Sequence, residues 1–151
     1  MDGGDAGGPW TPIEITEGEW AGWRIWSSDP YELLSGPFYC RKAEDGRMVC
    51  AFRAENKHMN GGGFMHGGCL MTFADYALFC IAADVLQDSG SVTASLNGEF
   101  IDAAKEGDLI EATGEVVRAG ASLVFIRGLV STEGRPLLNF SAILKKVRRR
   151  V

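Results

Sequence analysis

The residues of this chain best suited to chemistry lie in one block, Asn60-Gly61-Gly62-Gly63-Phe64-Met65-His66-Gly67-Gly68, with Asp75 seven positions beyond it. A helix is expected to begin near Gly67, leaving the backbone N–H groups of Gly67 and Gly68 without intrahelical partners. Neither glycine has a side chain to obstruct approach, and the positive end of the helix dipole points outward there. Such an N-terminus suits a developing oxyanion, for instance a thioester carbonyl under attack. Asn60 and His66 stand just before it, each able to donate to the same carbonyl or to fix the loop. Asp75 sits among Phe73, Ala74 and Tyr76. Burial in such company disfavours the charged form and would raise its pKa, which fits a general base acting on water near neutral pH. The plainer alternative is a structural Asp that bonds a local hydroxyl such as that of Thr72. Asp84, nine residues on, is expected on the opposite face of the helix, as a solvated or edge carboxylate.

Spacing adds a constraint. Eight helical residues from Gly67 to Asp75 span about 12 Å along the axis. Water held by Asp75 cannot attack a carbonyl bound at Gly67 of the same chain. If both groups act on one thioester, they come from two subunits, and a two-fold dimer with antiparallel helices would build the site twice.

The elements around this block follow from periodicity and turn residues. Asp29-Pro30 opens a short helical turn over 31–34, with Asp29 as N-cap and Pro30 at the first helical position. Strands are expected at 38–43 and 47–54 about Asp45-Gly46; if that is a two-residue turn, Cys40 falls opposite Ala51. After a loop at 55–63, the helix runs from Gly67 to about Gln87, with Gly90 as a stop signal. Strands then follow at 91–101, 109–118, 122–132 and 137–147, with turns at 105–108, 119–120 and 133–136. Trp20, Trp23 and Trp26 recur at i, i+3 and i+6, one broad face on a helix that would pack on the sheet edge or form a lid over an acyl pocket. A helix this apolar must be covered on nearly all sides. The expected architecture is therefore α+β, a curved antiparallel β-sheet wrapped around one long central helix, in a single domain at 10–151 after a disordered tail at 1–9.

Composition narrows the function. A formal net charge of -5 argues against a nucleic-acid partner, whose phosphates need a basic surface. Cys40, Cys50, Cys69 and Cys80 have neither CxxC pairing nor a His at ligand spacing, so no metal is expected, and they read as reduced, mostly buried thiols. No nucleotide-binding glycine motif follows a strand, so no cofactor is expected. Residues 69–86 are apolar enough to invite comparison with a membrane span. However, Asp75 and Asp84 interrupt them and strands follow, which favours a buried helix and no membrane partner. The acidic, glycine-rich start lacks the pattern of a signal peptide, and a cytoplasmic location is expected.

With Val92–Phe100, Gly107-Asp108 and Arg118–Leu123 beside it, the Asn60, His66-Gly67-Gly68 and Asp75 block resembles the phenylacetyl-CoA thioesterase branch of the hotdog-fold acyl-CoA thioesterases, over about residues 29–146. The resemblance implies the hotdog fold, a homodimer or homotetramer, and hydrolysis of an acyl-CoA substrate to free acid and CoA. It implies that Asn60 and the Gly67 N–H hold and polarise the thioester carbonyl, that His66 shapes that site, and that Asp75 of the partner chain acts as general base or nucleophile. Thr93 falls where the family often has a Ser or Thr that orients water or the Asp. Gly68 joins the substrate-binding set. CoA phosphates need cations; the candidates are Arg53, Lys57, His58, Arg118 and the tail cations Lys145, Lys146, Arg148, Arg149 and Arg150, with Lys57 and Arg118 placed first. Phe64, Phe73, Tyr76 and the tryptophans are candidates to line an apolar pocket or to form core. Two other functions fit such a chain: a hotdog-fold hydratase or dehydratase, and a non-catalytic acyl-CoA binding module.

Overall fold

The computed structural model describes residues 11–87 and 89–148. Two short strands, β1 (Ile13–Glu14) and β2 (Arg24–Ile25), precede helix α1 (Pro30–Ser35) and the hairpin β3 (Tyr39–Lys42) and β4 (Met48–Arg53). Helix α2 (Gly67–Ile81) and a short α3 (Ala83–Leu86) come next, then β5 (Gly90–Phe100), β6 (Leu109–Ala119), β7 (Leu123–Thr132) and β8 (Arg135–Val147). All strands join one sheet in the order β1-β2-β3-β4-β6-β7-β8-β5. Its ladders are antiparallel throughout. After α2 the chain crosses to the far edge, lays down β5 against β8, and returns to place β6 beside β4.

Alternation sets the concave face. Val124, Ile126 and Val130 of β7, and Leu138, Phe140, Ala142 and Leu144 of β8, are buried at every second position. They face α2, whose Leu70, Phe73, Ala74, Tyr76, Ala77, Leu78 and Cys80 are all buried. Inward glycines let the sheet close on the helix. A Cβ at Gly114 would stand 2.8 Å from Ile81 Cδ1, and one at Gly98 would stand 2.9 Å from Met71 Sδ. Aromatic rings fill the space between α2 and the β3–β4 hairpin: Phe73 lies 4.7 Å from Phe52 and 5.3 Å from Phe38 between centroids. This is the expected hotdog arrangement.

Several local expectations are corrected. The Trp-rich segment is not helical: Trp20 stacks on Tyr39 at 4.1 Å, Trp23 meets Trp20 edge-on, and Trp26 packs against Tyr76 at 5.7 Å. Its hydrophobic spacing is met by turns and the β1–β2 ribbon. Cys40 pairs with Cys50, not Ala51. The turn there is one residue longer than the Asp45-Gly46 signal implied, closing from Ala43 to Arg47, with Gly46 at positive φ. The central helix breaks at Ala82 instead of running to Gln87, and Gly90 opens β5 rather than stopping a helix. The β7–β8 turn is two residues, Glu133 and Gly134, both at positive φ, so Arg135 and Pro136 belong to the strand. Asp29 does cap α1, accepting from the Glu32 N–H at 3.0 Å. Asp84 is exposed on α3, as expected. The expected tail at 1–9, together with Trp10, Arg149 and Arg150, lies outside the described residues.

Candidate active site

Both halves of the expected chemistry lie on α2. At its start, His66 is the N-cap and its Nδ1 accepts from the Gly68 N–H at 2.8 Å. That bond fixes the tautomer, leaving the ring proton on Nε2. The Cys69 and Leu70 N–H groups donate to the His66 carbonyl at 2.9 and 3.3 Å. Only the Gly67 N–H in this first turn has no hydrogen-bond partner among the described residues. The expectation of two open N–H groups is thus corrected to one: the capping side chain beside Gly68 takes the other. A Cβ on Gly67 would lie 3.2 Å from the Phe100 ring, so the site has no room for a larger residue without moving that ring.

Asn60 is exposed, and its side chain is oriented by its own loop. Oδ1 accepts from the N–H groups of Gly62 at 2.9 Å and Phe64 at 3.2 Å. Two donors on one oxygen settle which end of the amide is which. The Nδ2 amino group is then directed away from the loop as a donor, with no partner among the described residues. The glycines at 61–63 let the chain turn tightly enough to make this cap, Gly63 at positive φ.

Asp75 is half-buried, and its Oδ1 accepts from the Thr93 hydroxyl at 2.6 Å. A hydroxyl–carboxylate bond this short is charge-assisted and holds the carboxylate in one orientation. The alternative partner, Thr72, instead donates to the Gly68 carbonyl at 2.9 Å. Thr93 of β5 and Asp75 of α2 are thereby brought together. The remaining expected donors, at Asn60 and Gly67, lie at the other end of the helix.

A third carboxyl stands near Asp75. Burial, with Asp29 and Asp75 as like-charged neighbours, holds Glu32 of α1 up at about 7. Glu32 falls inside the capped turn expected over 31–34 and is not among the site residues expected from the sequence. The signal was present in Asp29 and Glu32 at i and i+3, which share a helix face. Trp26, Asp29, Glu32, Tyr76, Phe79 and Ser91 help line a cavity of about 690 Å³, whose lining includes neither Asp75 nor Thr93. Phe79 is one helical turn beyond Asp75, and Ser91 is two strand residues before Thr93. Tyr76 is buried, and its hydroxyl has no hydrogen-bond partner among the described residues. Burial near the Cys80, Cys40 and Cys50 thiols pushes its pKa up.

The expected cations divide. Lys57 is exposed and donates to the Leu34 carbonyl at 3.2 Å, with Glu55 at 3.6 Å. Arg53 is paired with Glu19. His58 is no cation site: burial lowers its pKa, its Nδ1 accepts from the Glu55 N–H at 2.9 Å, and its Nε2 meets the Ser35 carbonyl at 2.6 Å. Arg118 pairs across to Phe125, whose neighbours Val124 and Ile126 face α2. Arg118 therefore stands on the convex face, away from Asp75 of its own chain. Phe64 is exposed, whereas Phe73 is wholly core. All four cysteines are free, Cys69 half-buried and the others buried.

Comparison with known proteins shows the family of the chain. The thioesterase superfamily matches at residues 62–138, which takes in α2 with Gly67 and Asp75, and β5 with Thr93. The chain belongs to that superfamily. A candidate esterase of Pseudomonas aeruginosa is 32% identical over 120 residues, covering 79% of this chain and 90% of that protein. Human acyl-coenzyme A thioesterase 13 is 28% identical over 99 residues, covering 63% of this chain and 68% of its own. Among solved structures, the PaaI protein of the E. coli phenylacetic acid degradation operon superposes with a TM-score of 0.70 at 19% identity, covering 81% of this chain and 87% of that one. A hypothetical thioesterase of Streptococcus pneumoniae, solved with coenzyme A, gives 0.69 at 21% identity, covering 79% and 93%. Trp26, Asp29, Glu32 and Asn60 all lie before the matched segment.

Proposed function

We propose that this protein hydrolyses an acyl-CoA thioester to the free acid and CoA, at a site formed between two copies of the chain. The observation that carries the reading is the division of labour along α2: an open N–H at Gly67 and, eight residues on, a carboxylate oriented by Thr93. The thioester carbonyl accepts from Gly67 N–H and Asn60 Nδ2 of one subunit. Asp75 of the partner removes a proton from water, and the hydroxide attacks the carbonyl carbon. The tetrahedral oxyanion collapses, the C–S bond breaks, and the CoA thiolate takes the proton back from Asp75. The donors stabilise charge that appears only as water adds, which is where such contacts accelerate a reaction. His66 contributes by capping Gly68 and setting the loop before Gly67.

Sharing between subunits is supported by the separation of about 12 Å along one helix and by the sheet edge. β5 is an outermost strand of 11 residues, paired among the described residues on one side only, to β8. Its Thr93 end lies at Asp75 and its Phe100 end lies at Gly67. A long open edge invites pairing with another chain. Antiparallel pairing of two β5 edges would bring each Asp75 toward the partner's Gly67. A homodimer follows, with a homotetramer by pairing of dimers. Lys57 is the better placed cation for a CoA phosphate, because it lies near the N-terminal end of α2. Arg118 serves that role only across a subunit contact.

A hydratase reading is disfavoured by the histidines. His58 has both ring nitrogens engaged by backbone, and His66 uses Nδ1 as a cap. Incubation with a panel of acyl-CoAs and a thiol-trapping dye tests the proposal. CoA release that falls about 10²- to 10⁴-fold in a folded Asp75→Asn variant is expected for loss of a general base. Tight binding without release from any substrate indicates a binding module, and a variant within about threefold of wild type removes Asp75 from the mechanism.

A further inference from the structure

We infer that one end of the sheet's convex face is a docking surface for an anionic lipid membrane. The inference goes beyond the proposed hydrolysis and does not depend on it. The chain carries a formal net charge of -5, yet its charges are sorted along the last four strands. Where β5 begins, β6 ends, β7 begins and β8 ends, Arg118, Lys145, Lys146 and Arg148 come together. No Asp or Glu lies in 90–96, 116–126 or 143–148. The other ends of the same strands, with their turns, hold Asp102, Glu106, Asp108, Glu111 and Glu133 against Lys105 and Arg135. Among the described residues, none of the four cations at the basic end joins an ion pair.

Alternation and register set apolar side chains among these cations. Val124 and Ile126 are buried against α2, so Leu123 and Phe125 point outward. Leu123 pairs with Lys145, Lys145 with Val92, and Phe125 with Arg118. Paired residues share a face, so Lys145, Val92 and Arg118 stand outward too. Val147 alternates with Lys145, and Val117 sits at the β6 register shift. Val92, Val117, Leu123, Phe125 and Val147 are 36–56% exposed. Such a mixture suits a lipid surface, whose phosphates take the cations and whose acyl boundary takes the apolar groups. Other occupants fit it less well. The buried centre of a protein interface is depleted in Lys. A second copy docked about a two-fold axis on this patch would set Arg118 and Lys145 against their own counterparts. Edge pairing of β5 would use its backbone groups and leave the face open. Among the described residues no helix is long and apolar enough to cross a membrane, so the contact is peripheral.

The test is co-sedimentation of the full chain with vesicles of phosphatidylcholine alone and of phosphatidylcholine mixed with phosphatidylglycerol, at low and high salt. Wild type is compared with two double variants, Arg118→Gln with Lys145→Gln and Leu123→Ser with Phe125→Ser. Circular dichroism and thermal melting check the fold of each, and either folded variant alone decides the outcome. Wild type should bind the anionic vesicles and not the neutral ones, and salt should weaken the binding. Loss of two cations should weaken it roughly 30-fold. Loss of the two apolar side chains should weaken it by about 10-fold or more. No binding to anionic vesicles overturns the inference, and so does binding that a folded variant retains in full. Binding to soluble polyglutamate as tight as to vesicles, and lost in the same variants, assigns the patch to an acidic protein and overturns it. An oligomer that forms without vesicles and that both variants dissociate assigns the patch to a second copy, with the same consequence. None of these outcomes bears on CoA release, which is read separately.

Discussion

Thr93→Val removes one oxygen from the site and nearly nothing else. The hydroxyl donates to Asp75 Oδ1 at 2.6 Å. Hydrogen bonds to charged groups are worth about 1.5–3 kcal/mol. With a factor of ten for each 1.4 kcal/mol, loss of orientation should cost about 10- to 100-fold in rate. The loss should fall on kcat more than on KM, because Thr93 holds the base and not the substrate. Stability should fall too, by at most about 1.5–3 kcal/mol, because the same bond is lost in the folded chain, with the strand preference of valine offsetting part of it. Thr93→Ser keeps the hydroxyl and should stay within about threefold of wild type. Steady-state kinetics with thiol trapping, alongside a thermal melt, reads both effects. A folded Thr93→Val enzyme within about threefold of wild type would refute the reasoning that this bond positions the base.

Phe73→Ala empties the centre of the aromatic packing between α2 and the β3–β4 hairpin, where Phe73 is 0% exposed, and should cost about 3–5 kcal/mol, read as a lowered urea midpoint. Glu32→Gln should change the pH dependence of stability. The Glu32 carboxyl binds its proton more tightly in the folded chain, so its contribution is full below about 4.5 and is lost as pH rises to about 7. The melting temperature of the variant relative to wild type should therefore climb between those values and level off above them. A difference that is flat with pH would contradict the assignment.

The fold was legible because its signals are repetitive. An apolar helix and strands with inward-facing residues at every second position leave few alternatives to a sheet wrapped around a helix. The turn geometry was less legible. At Asp45-Gly46 one extra residue moved Cys40 from Ala51 to Cys50, a register choice that dipeptide preferences do not decide. The tryptophan spacing fitted a helix, yet Trp20 and Trp23 found partners in Tyr39 and Arg41 at the sheet edge, a tertiary contact no local pattern encodes. At the site, Asn60, Gly67 and Asp75 announced themselves by type and spacing. Gly68 stood out in the same way, but that its N–H is capped was not legible, because this depends on the rotamer of His66. Glu32 was missed because its significance comes from α1 packing on α2, where Tyr31 reaches Thr72 at 3.5 Å.

Subunit exchange between two inactive variants, Asn60→Ala and Asp75→Ala, addresses the shared site most directly. In a mixed dimer one site carries both lesions and the other carries neither, because its Asn60 and its Asp75 come from different chains. Random pairing of equal amounts makes half the dimers mixed, so activity should recover to about a quarter of wild type. Exchange is verified with mass-tagged chains. Recovery to that level is the result the account predicts; complete exchange with activity still at the level of the single variants would contradict it.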